Sequence, residues 1–229
     1  MAKLTWHGHS CFLLETDEGT RILFDPFLDD NPVADIRAAQ IDALDYILVS
    51  HGHSDHFADC IPIAKRTGAT VVSTFELVSF CQSRGVAKGH GMNLGGGFQF
   101  PFGRVKLTPA AHTGSIAGDD EGSYTTDPCG FLLTLTGGQR LYHAGDTALI
   151  LDLQLLQGQV DVALLPIGDN FTMGPEDAVR AVEYIQPRTV IPMHYNTWEL
   201  IAQDPEAFRR QVGDRAEVVV LQPGESHEF

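Results

Sequence analysis

Positively charged residues are scarce in this chain. Its 229 residues include 15 lysines and arginines against 30 aspartates and glutamates, which gives a formal net charge of −15. Such a surface repels phosphate backbones, so nucleic-acid binding is disfavoured, and the simplest interpretation of the acidity is solubility. Bound divalent cations would reverse the charge locally and allow an anionic small molecule as substrate. The composition therefore favours a small-molecule partner.

Paired cysteines and long apolar runs are also missing. The four cysteines are scattered without a C-x-x-C motif, which is typical of free thiols in a reducing compartment and excludes a disulfide framework. No run of about 18 apolar residues predicts a transmembrane helix. Polar residues follow the N-terminus too early for a signal peptide. We expect a cytoplasmic protein that does not enter a membrane.

Low-complexity tracts and linkers are absent as well, which argues against a multidomain chain. The hydrophobic fraction of 43% is ordinary for a globular protein. A chain of this length can bury one sizeable core. We predict a single domain over residues 1–229.

The most informative segment is the run His51-Gly52-His53-Ser54-Asp55-His56, which directly follows the apolar stretch 46–49. Imidazole and carboxylate are ligands that zinc and related divalent metals prefer. Four such groups on one short loop are too many for a structural zinc, whose ligands usually come as spaced pairs. A polar turn can gather histidines by chance, but the order His-x-His-x-Asp-His argues against that.

This run resembles the metal-binding motif of the metallo-β-lactamase superfamily, which adds three later ligands at strand ends: a His, an Asp and a His. His112, Asp146 and His194 follow apolar, strand-like segments in that order. A chance match of the first run would not bring these three with it. Asp146 has an alternative role, because Asp commonly caps a helix N-terminus and one could begin at Thr147 or Ala148.

The resemblance implies a dinuclear site in which a metal-bridging hydroxide hydrolyses an ester, lactone or phosphoester bond of a small metabolite. Asp55 would orient the hydroxide. Zn²⁺ suits the histidines best, while Mn²⁺ or Fe²⁺ also fit the carboxylates. The implied ligands are His51, His53 and His112 for the first ion, Asp55, His56 and His194 for the second, and Asp146 between the two.

Three further segments are similar to a branch of this superfamily, the small single-domain bacterial and archaeal hydrolases related to L-ascorbate-6-phosphate lactonase. They are residues 6–12, 169–176 and 192–197. The resemblance implies that His9 binds substrate or donates a proton, and that Asp25 orients a ligand histidine.

The same resemblance makes Thr172, Tyr195 and Asn196 candidate substrate contacts, although Tyr195 could instead pack. The branch usually carries Gly-Gly-Asn where this chain has Gly168-Asp169-Asn170. If position 169 needs a positive φ, Asp tolerates it better than most residues. His7 and His143 are interpreted as structural, and His90 and His227 as exposed to solvent.

The order of predicted elements indicates an α/β protein with two similar halves. Strands over 3–6, 10–15 and 20–24, the last two joined by a turn at 17–19, precede βα units; further strands from residue 97 again precede βα units. Two such halves make the four-layer αββα sandwich that the resemblance implies. We predict a loop at 90–97, a final strand at 216–221, and a mobile loop at 113–128 that borders the site and could act as a lid.

Other functions remain open at this point. A phosphodiesterase or nuclease acting on RNA or DNA would use the same ligands, but the clamp domain or basic arm of such enzymes is missing. An iron-dependent oxidoreductase on the same fold is a second alternative, and a non-catalytic metal-binding protein is a third. A homo-oligomer, in which a partner subunit covers the cleft, is also left open.

Overall fold

Two seven-stranded sheets with helices on their outer faces make up the computed structural model, which describes residues 1–120, 122 and 124–229. The strands are β1 Lys3–Trp6, β2 Phe12–Glu15, β3 Arg21–Phe24, β4 Tyr46–Leu48, β5 Thr70–Thr74, β6 Gly89–Met92, β7 Gly97–Phe100, β8 Gly103–Pro109, β9 Cys129–Leu135, β10 Arg140–His143, β11 Val162–Pro166, β12 Thr189–Met193, β13 Glu217–Val218 and β14 Ser226–Glu228. The helices are α1 Ser54–Phe57, α2 Cys60–Thr67, α3 Phe75–Ser83, α4 Pro175–Ile185 and α5 Pro205–Val212, with short 3-10 helices at Ala38–Gln40, Leu151–Leu156, Glu199–Ile201 and Gly213–Arg215.

The two sheets repeat one topology. The first has the order β14-β1-β2-β3-β4-β5-β6, antiparallel up to β3 and parallel from β3 onward. The second has the order β7-β8-β9-β10-β11-β12-β13, antiparallel up to β10 and parallel from there. The predicted pair of similar halves in an α/β sandwich is therefore confirmed.

Apolar side chains fill three interfaces. One buried cluster joins the facing sides of both sheets, where Phe24 contacts Phe131, and continues beneath α4 and α5. A second cluster lies between the outer side of the first sheet and the helices α2 and α3. The inner strands β11 and β12 are buried along their whole length, as expected where both faces of a parallel sheet are covered.

Helix boundaries follow the local chemistry of the chain. Gly68 ends α2 in the left-handed conformation with φ of 72°, as the sequence predicts. Pro175 begins α4 with Glu176 and Asp177 in its first turn, where their charges complement the helix dipole. Within the described part of the chain, no helix combines the length and apolarity that crossing a bilayer requires.

Three predictions about secondary structure are wrong. The segment 90–97 is not wholly a loop, because β6 pairs with β5 at the sheet edge; its glycines hide it from sequence patterns. The final strand 216–221 shortens to β13. The sequence pattern also predicts one helix over 57–67, before Gly68, but α1 ends at Phe57 and α2 begins only at Cys60. His227 lies in the additional strand β14, paired with β1, and is half-buried, as is His90.

Candidate metal centre

Ends of strands from both sheets bring the predicted ligands to one place. His51 follows β4 in the first sheet, and His112, Asp146 and His194 follow β8, β10 and β12 in the second. At the carboxyl ends of parallel strands, loops are free to carry polar side chains, whereas the strands themselves are buried. His51, His56, Asp146 and His194 are nevertheless buried, so the loops fold over the site.

Three imidazoles form the first group. His51 Nε2 lies 3.0 Å from His53 Nδ1, which lies 3.3 Å from His112 Nε2. Nitrogens bound at about 2.05 Å to a tetrahedral zinc ion are about 3.3 Å apart. The spacing of these three nitrogens therefore fits a single metal ion.

Asp55, His56, Asp146 and His194 form a second group beside the first. The Asp55 Oδ2 atom lies 3.8 Å from both His56 Nε2 and His194 Nε2. The Asp146 carboxylate lies 3.3 Å from His56 Nε2 and 3.0 Å from His194 Nε2. Its Oδ2 also lies 3.6 Å from His112 Nε2 in the first group, so this carboxylate stands between the two groups.

Several of these atoms are buried without a hydrogen bond. His56 Nε2, His194 Nε2 and Asp146 Oδ1 have no such partner among the described residues. Leaving a buried polar atom unpaired costs about 1–3 kcal/mol. A set of unpaired imidazole nitrogens and a carboxylate oxygen facing one another fits divalent cations.

The protonation states of His51 and Asp146 suit ligation. Burial lowers the pKa of His51 well below its ordinary value, which keeps this imidazole neutral. Burial alone would raise the pKa of Asp146, but the nearby His194 and His56 outweigh it and hold that pKa well below the usual range. Neutral imidazole and ionised carboxylate are the forms that bind metal.

Asp25 is completely buried behind the ligands. Its Oδ1 accepts a hydrogen bond from Ser50 N at 2.7 Å, and its Oδ2 accepts one from Ser50 Oγ at 2.6 Å. The same Oδ2 lies 2.8 Å from His56 Nδ1. Because Nδ1 then carries the proton, Nε2 of His56 is left free to act as a ligand.

His9 lies behind Asp55 rather than in the open pocket. Its Nε2 is 3.2 Å from Asp55 Oδ2, and its Nδ1 is 2.7 Å from Thr197 Oγ1. Burial, reinforced by the nearby His194, lowers the pKa of His9 to about 4. The side chain has no exposed surface and does not line the cavity, so the prediction that His9 itself binds substrate finds no direct contact here.

A cavity of about 480 Å³ opens over the ligands. The predicted contacts Thr172, Asn196 and Tyr195 do not line it: the Tyr195 ring is buried and stacks on Trp6, and Asn196 accepts a hydrogen bond from Gln203 N. Sequence reasoning missed the residues that do line it beside the ligands. They are Phe27, Ser54, Thr113, Phe171 and Trp198.

The loop 113–128 is anchored where the structure describes it; Glu121 and Ser123 lie outside the described residues. Ala117 N donates to Gly52 O at 2.8 Å, and Ile116 is buried in the second apolar cluster. Gly52 permits this approach, since a Cβ there would lie 2.7 Å from Ser115 O. Through these contacts, residues 115–117 pack against the loop 51–56 that carries the first candidate ligands.

Other histidines and turns occupy structural positions. His143 is buried, stacks on Phe24 and contacts Ser10 O at 3.0 Å, while His7 Nδ1 contacts Asp35 Oδ1 at 2.8 Å. No helix begins at Thr147, so Asp146 does not act as a helix cap. Position 169 does have a positive φ, of 60°.

The fold and this site together define a metallo-β-lactamase-type hydrolase. Residues 3–194 match the family model described as "Beta-lactamase superfamily domain". The chain belongs to this superfamily, and to its group of metal-dependent hydrolases.

Relatives match over nearly the whole chain. A "UPF0173 metal-dependent hydrolase" of Heliobacterium modesticaldum is 51% identical, over 99% of this chain and 97% of that protein. A protein of the same description from Enterococcus faecalis is 47% identical over 98% of both. The solved structure of Igni18, described as a novel metallo hydrolase from the archaeon Ignicoccus hospitalis, superposes with a TM-score of 0.88 at 35% identity, covering 100% of this chain and 99% of that one.

Proposed function

We propose that this metal-dependent hydrolase uses two divalent ions to cleave an ester, lactone or phosphoester bond of a small metabolite. Zinc is the first choice for both ions, because five of the seven ligands are imidazoles; manganese or iron would also fit. The assignment follows the two groups described above. His51, His53 and His112 would hold one ion, Asp55, His56 and His194 the other, and Asp146 would contact both.

One observation carries this proposal: the buried, unpaired Nε2 atoms of His56 and His194 face the buried Asp146 carboxylate at 3.3 Å and 3.0 Å. A merely structural site would be closed on all sides by its ligands. Here the ligands His53, Asp55 and His112 are partly exposed and line a cavity. Access for a substrate favours catalysis over a structural role.

Two ions at this site would supply an acidified water and positive charge beside the substrate's reacting carbonyl or phosphoryl group. Asp55 lines the cavity and is positioned to accept the proton of the attacking water. As water adds and the bond to the leaving oxygen breaks, Asp55 returns that proton to the leaving oxygen. Water and ester are thereby converted to acid and alcohol.

His9 would act on Asp55 and not on the substrate. A neutral imidazole with Nε2–H toward Asp55 fixes the orientation of this carboxylate, and its Nδ1 accepts the proton of the Thr197 hydroxyl. The low pKa of His9, which follows from burial, keeps the ring neutral in this role. We therefore propose His9 as a positioning residue.

Elemental analysis of the protein as isolated, paired with a panel of ester, lactone, thioester and phosphodiester substrates, tests the proposal. We expect about two equivalents of zinc, manganese or iron, and turnover of at least one class. His53→Ala and Asp146→Ala should abolish turnover while the far-UV circular dichroism stays unchanged. His227→Ala, on the remote strand β14, is the matched control and should keep full activity.

The outcomes separate the alternatives. Unchanged rates in both ligand variants would remove the proposed mechanism. Cleavage of RNA together with bis(p-nitrophenyl) phosphate, without any cleavage of esters or lactones, would instead identify a phosphodiesterase or nuclease that acts on nucleic acid and not on a small metabolite. Visible absorbance from iron together with oxygen uptake would identify an oxidoreductase.

A further inference from the structure

Three aromatic side chains line the cavity together with the candidate ligands. Phe27 follows β3, Phe171 follows β11 and Trp198 follows β12, so three separate loops each contribute one ring. Phe171 is 48% exposed, although a large apolar side chain normally gains free energy by leaving water. Three rings converging on one cavity indicate an apolar surface that a ligand would cover.

These rings are held in place from behind. The Phe27 ring packs edge-on against His9 with centroids 5.7 Å apart, and the Trp198 ring lies 5.1 Å from the same imidazole. The tight turn at Asp169 and Asn170, both with positive φ, presents Phe171 at its tip. His9 therefore contacts two of the three rings as well as Asp55. We call the surface formed by Phe27, Phe171 and Trp198 the apolar wall.

The charged side chains that line the cavity are all acidic. Among the described residues that line it, none is a lysine or an arginine, and the formally charged ones are Asp55 and Asp146. An anionic group bound directly at the cations would be compensated there. An anionic group held instead among Phe27, Phe171 and Trp198 would lose its hydration without gaining a cationic partner.

We propose that the part of the substrate that does not react is an uncharged, apolar group, of the size of an aromatic ring or a short alkyl chain, held by Phe27, Phe171 and Trp198. This inference rests on the proposed hydrolase function. The cavity of about 480 Å³ accommodates a reacting group together with such a substituent. Substrates that carry a phosphate or carboxylate remote from the scissile bond are thereby disfavoured.

A matched pair of substrates tests this selectivity in the zinc-loaded enzyme. p-Nitrophenyl butyrate and the p-nitrophenyl monoester of succinate have the same leaving group and the same number of acyl carbons, and they differ by one terminal carboxylate. We expect kcat/KM to be at least about tenfold higher for the butyrate. The free energy needed to desolvate a single unpaired charge exceeds the free-energy difference that corresponds to a tenfold ratio. Equal values, or a preference for the succinate ester, would overturn the inference.

Variants of Phe171 test whether the preference for the butyrate ester arises from the apolar wall. Phe171→Ser should raise KM for the butyrate ester by about five- to tenfold with little change in kcat, because it removes apolar contact with the part of the substrate that does not react. Phe171→Arg should shift the preference toward the succinate ester. Phe75→Ser, which changes an exposed phenylalanine on α3 outside the cavity, is the control and should leave both KM values unchanged.

Calorimetric binding of the corresponding anilides, butyranilide and succinanilic acid, decides the inference even without turnover. The neutral anilide should bind more tightly by about tenfold, and Phe171→Ser should weaken its binding. Absence of measurable binding by the neutral anilide, or tighter binding by the acid, would contradict the inference. A protein that binds metal and the neutral anilide but hydrolyses nothing would contradict the proposed function and leave the apolar wall supported.

Discussion

His9, Asp25 and His194 all adopt a left-handed backbone conformation, with φ of 54°, 42° and 56°. For a residue other than glycine, this conformation costs roughly 1–2 kcal/mol. Hydrogen bonds hold the strained segments, since His194 N donates to His9 O and Asp25 N to Leu48 O, each at 3.0 Å. Strained residues that cluster at one cavity indicate that the backbone there is kept for the placement of side chains.

Asp25→Asn tests whether the buried carboxylate orients a ligand. Asp25 accepts hydrogen bonds from three donors, Ser50 N on Oδ1 and Ser50 Oγ and His56 Nδ1 on Oδ2, whereas an amide has one oxygen and its NH2 group would face at least one of these donors. Losing this kind of support typically lowers metal affinity by about 10–100-fold. We expect a loss of that size for zinc, measured by competition with a chromophoric chelator.

Asp35→Asn is the matched control for that change. Asp35 also pairs with a histidine, His7, at 2.8 Å, but neither residue lines the cavity. Zinc affinity should be unchanged in this variant. Equal losses of affinity in the two variants would show that Asp25 acts through general stability and not through His56.

The sequence located the candidate ligands better than the residues that line the cavity beside them. Three of the candidate ligands could be located because each follows an apolar strand, and the ends of these strands lie at the same edge of the sheet. They are His112, Asp146 and His194. Phe27, Phe171 and Trp198 gave no such signal, because loops place them and their chemistry is that of any core aromatic residue. The Tyr195 ring could have lined the cavity or packed, and burial against Trp6 decides for packing.

Between elements, a close backbone approach near the site joins the loop 51–56 to the segment after β8. A Cβ on Gly52 would lie 2.7 Å from Ser115 O and 2.8 Å from Ile116 Cα. Both are backbone atoms, so neither can move without moving the loop. The packing of these two segments thus depends on the absence of a side chain at position 52.

Gly52→Ala should displace the 113–128 loop and disturb His51 and His53 beside it. Overpacking of a close contact costs typically about 1–3 kcal/mol. We expect a loss of stability of that size in urea denaturation, together with weaker zinc binding. Gly137→Ala is the control, because its new Cβ would meet only the flexible end of the Gln139 side chain; a comparable loss in that variant would contradict the explanation.

Edge strands were the elements that the sequence concealed. β6 contains Gly89 and Gly91, which have low strand propensity, yet its backbone pairs with β5 over four residues. Gly91 is needed there, since a Cβ would lie 3.0 Å from Phe75 Cα. Central strands such as β11 and β12 were predictable, because burial on both faces demands continuous apolar runs.

Taken as one folded unit, the chain has an apolar core that contains residues of both sheets. We propose that residues 1–229 form a single domain and unfold in one cooperative transition. Tryptophan fluorescence reports on the surroundings of Trp6 in the first sheet and of Trp198 after β12, whereas far-UV circular dichroism reports on all elements. The two signals should therefore give the same urea midpoint. Separate midpoints would indicate two independent units.

Thiol chemistry offers a second test of the folded core. All four cysteines are buried, and burial raises the pKa of Cys11, Cys60 and Cys129. Because the thiolate is the reactive form, these side chains should be inert at neutral pH. We expect Ellman's reagent to titrate no thiol in the native protein over minutes and four in denaturant; rapid native reaction would contradict this burial.

Metal removal should lower the stability of both halves of the protein together. The loop 51–56 extends from the first sheet, while His112, Asp146 and His194 extend from the second, so bound ions would link the two sheets across the core interface. A ligand that binds the native state at 100 times its Kd stabilises that state by about 2.7 kcal/mol. We expect chelation to lower the free energy of unfolding by at least this amount, seen as a lower urea midpoint that added zinc restores.

Asp146→Ala should lose most of this zinc-dependent shift, because the Asp146 carboxylate contacts both ligand groups, whereas His227→Ala should keep it. Identical urea midpoints with and without zinc in the unmodified protein would mean that no ion joins the two halves.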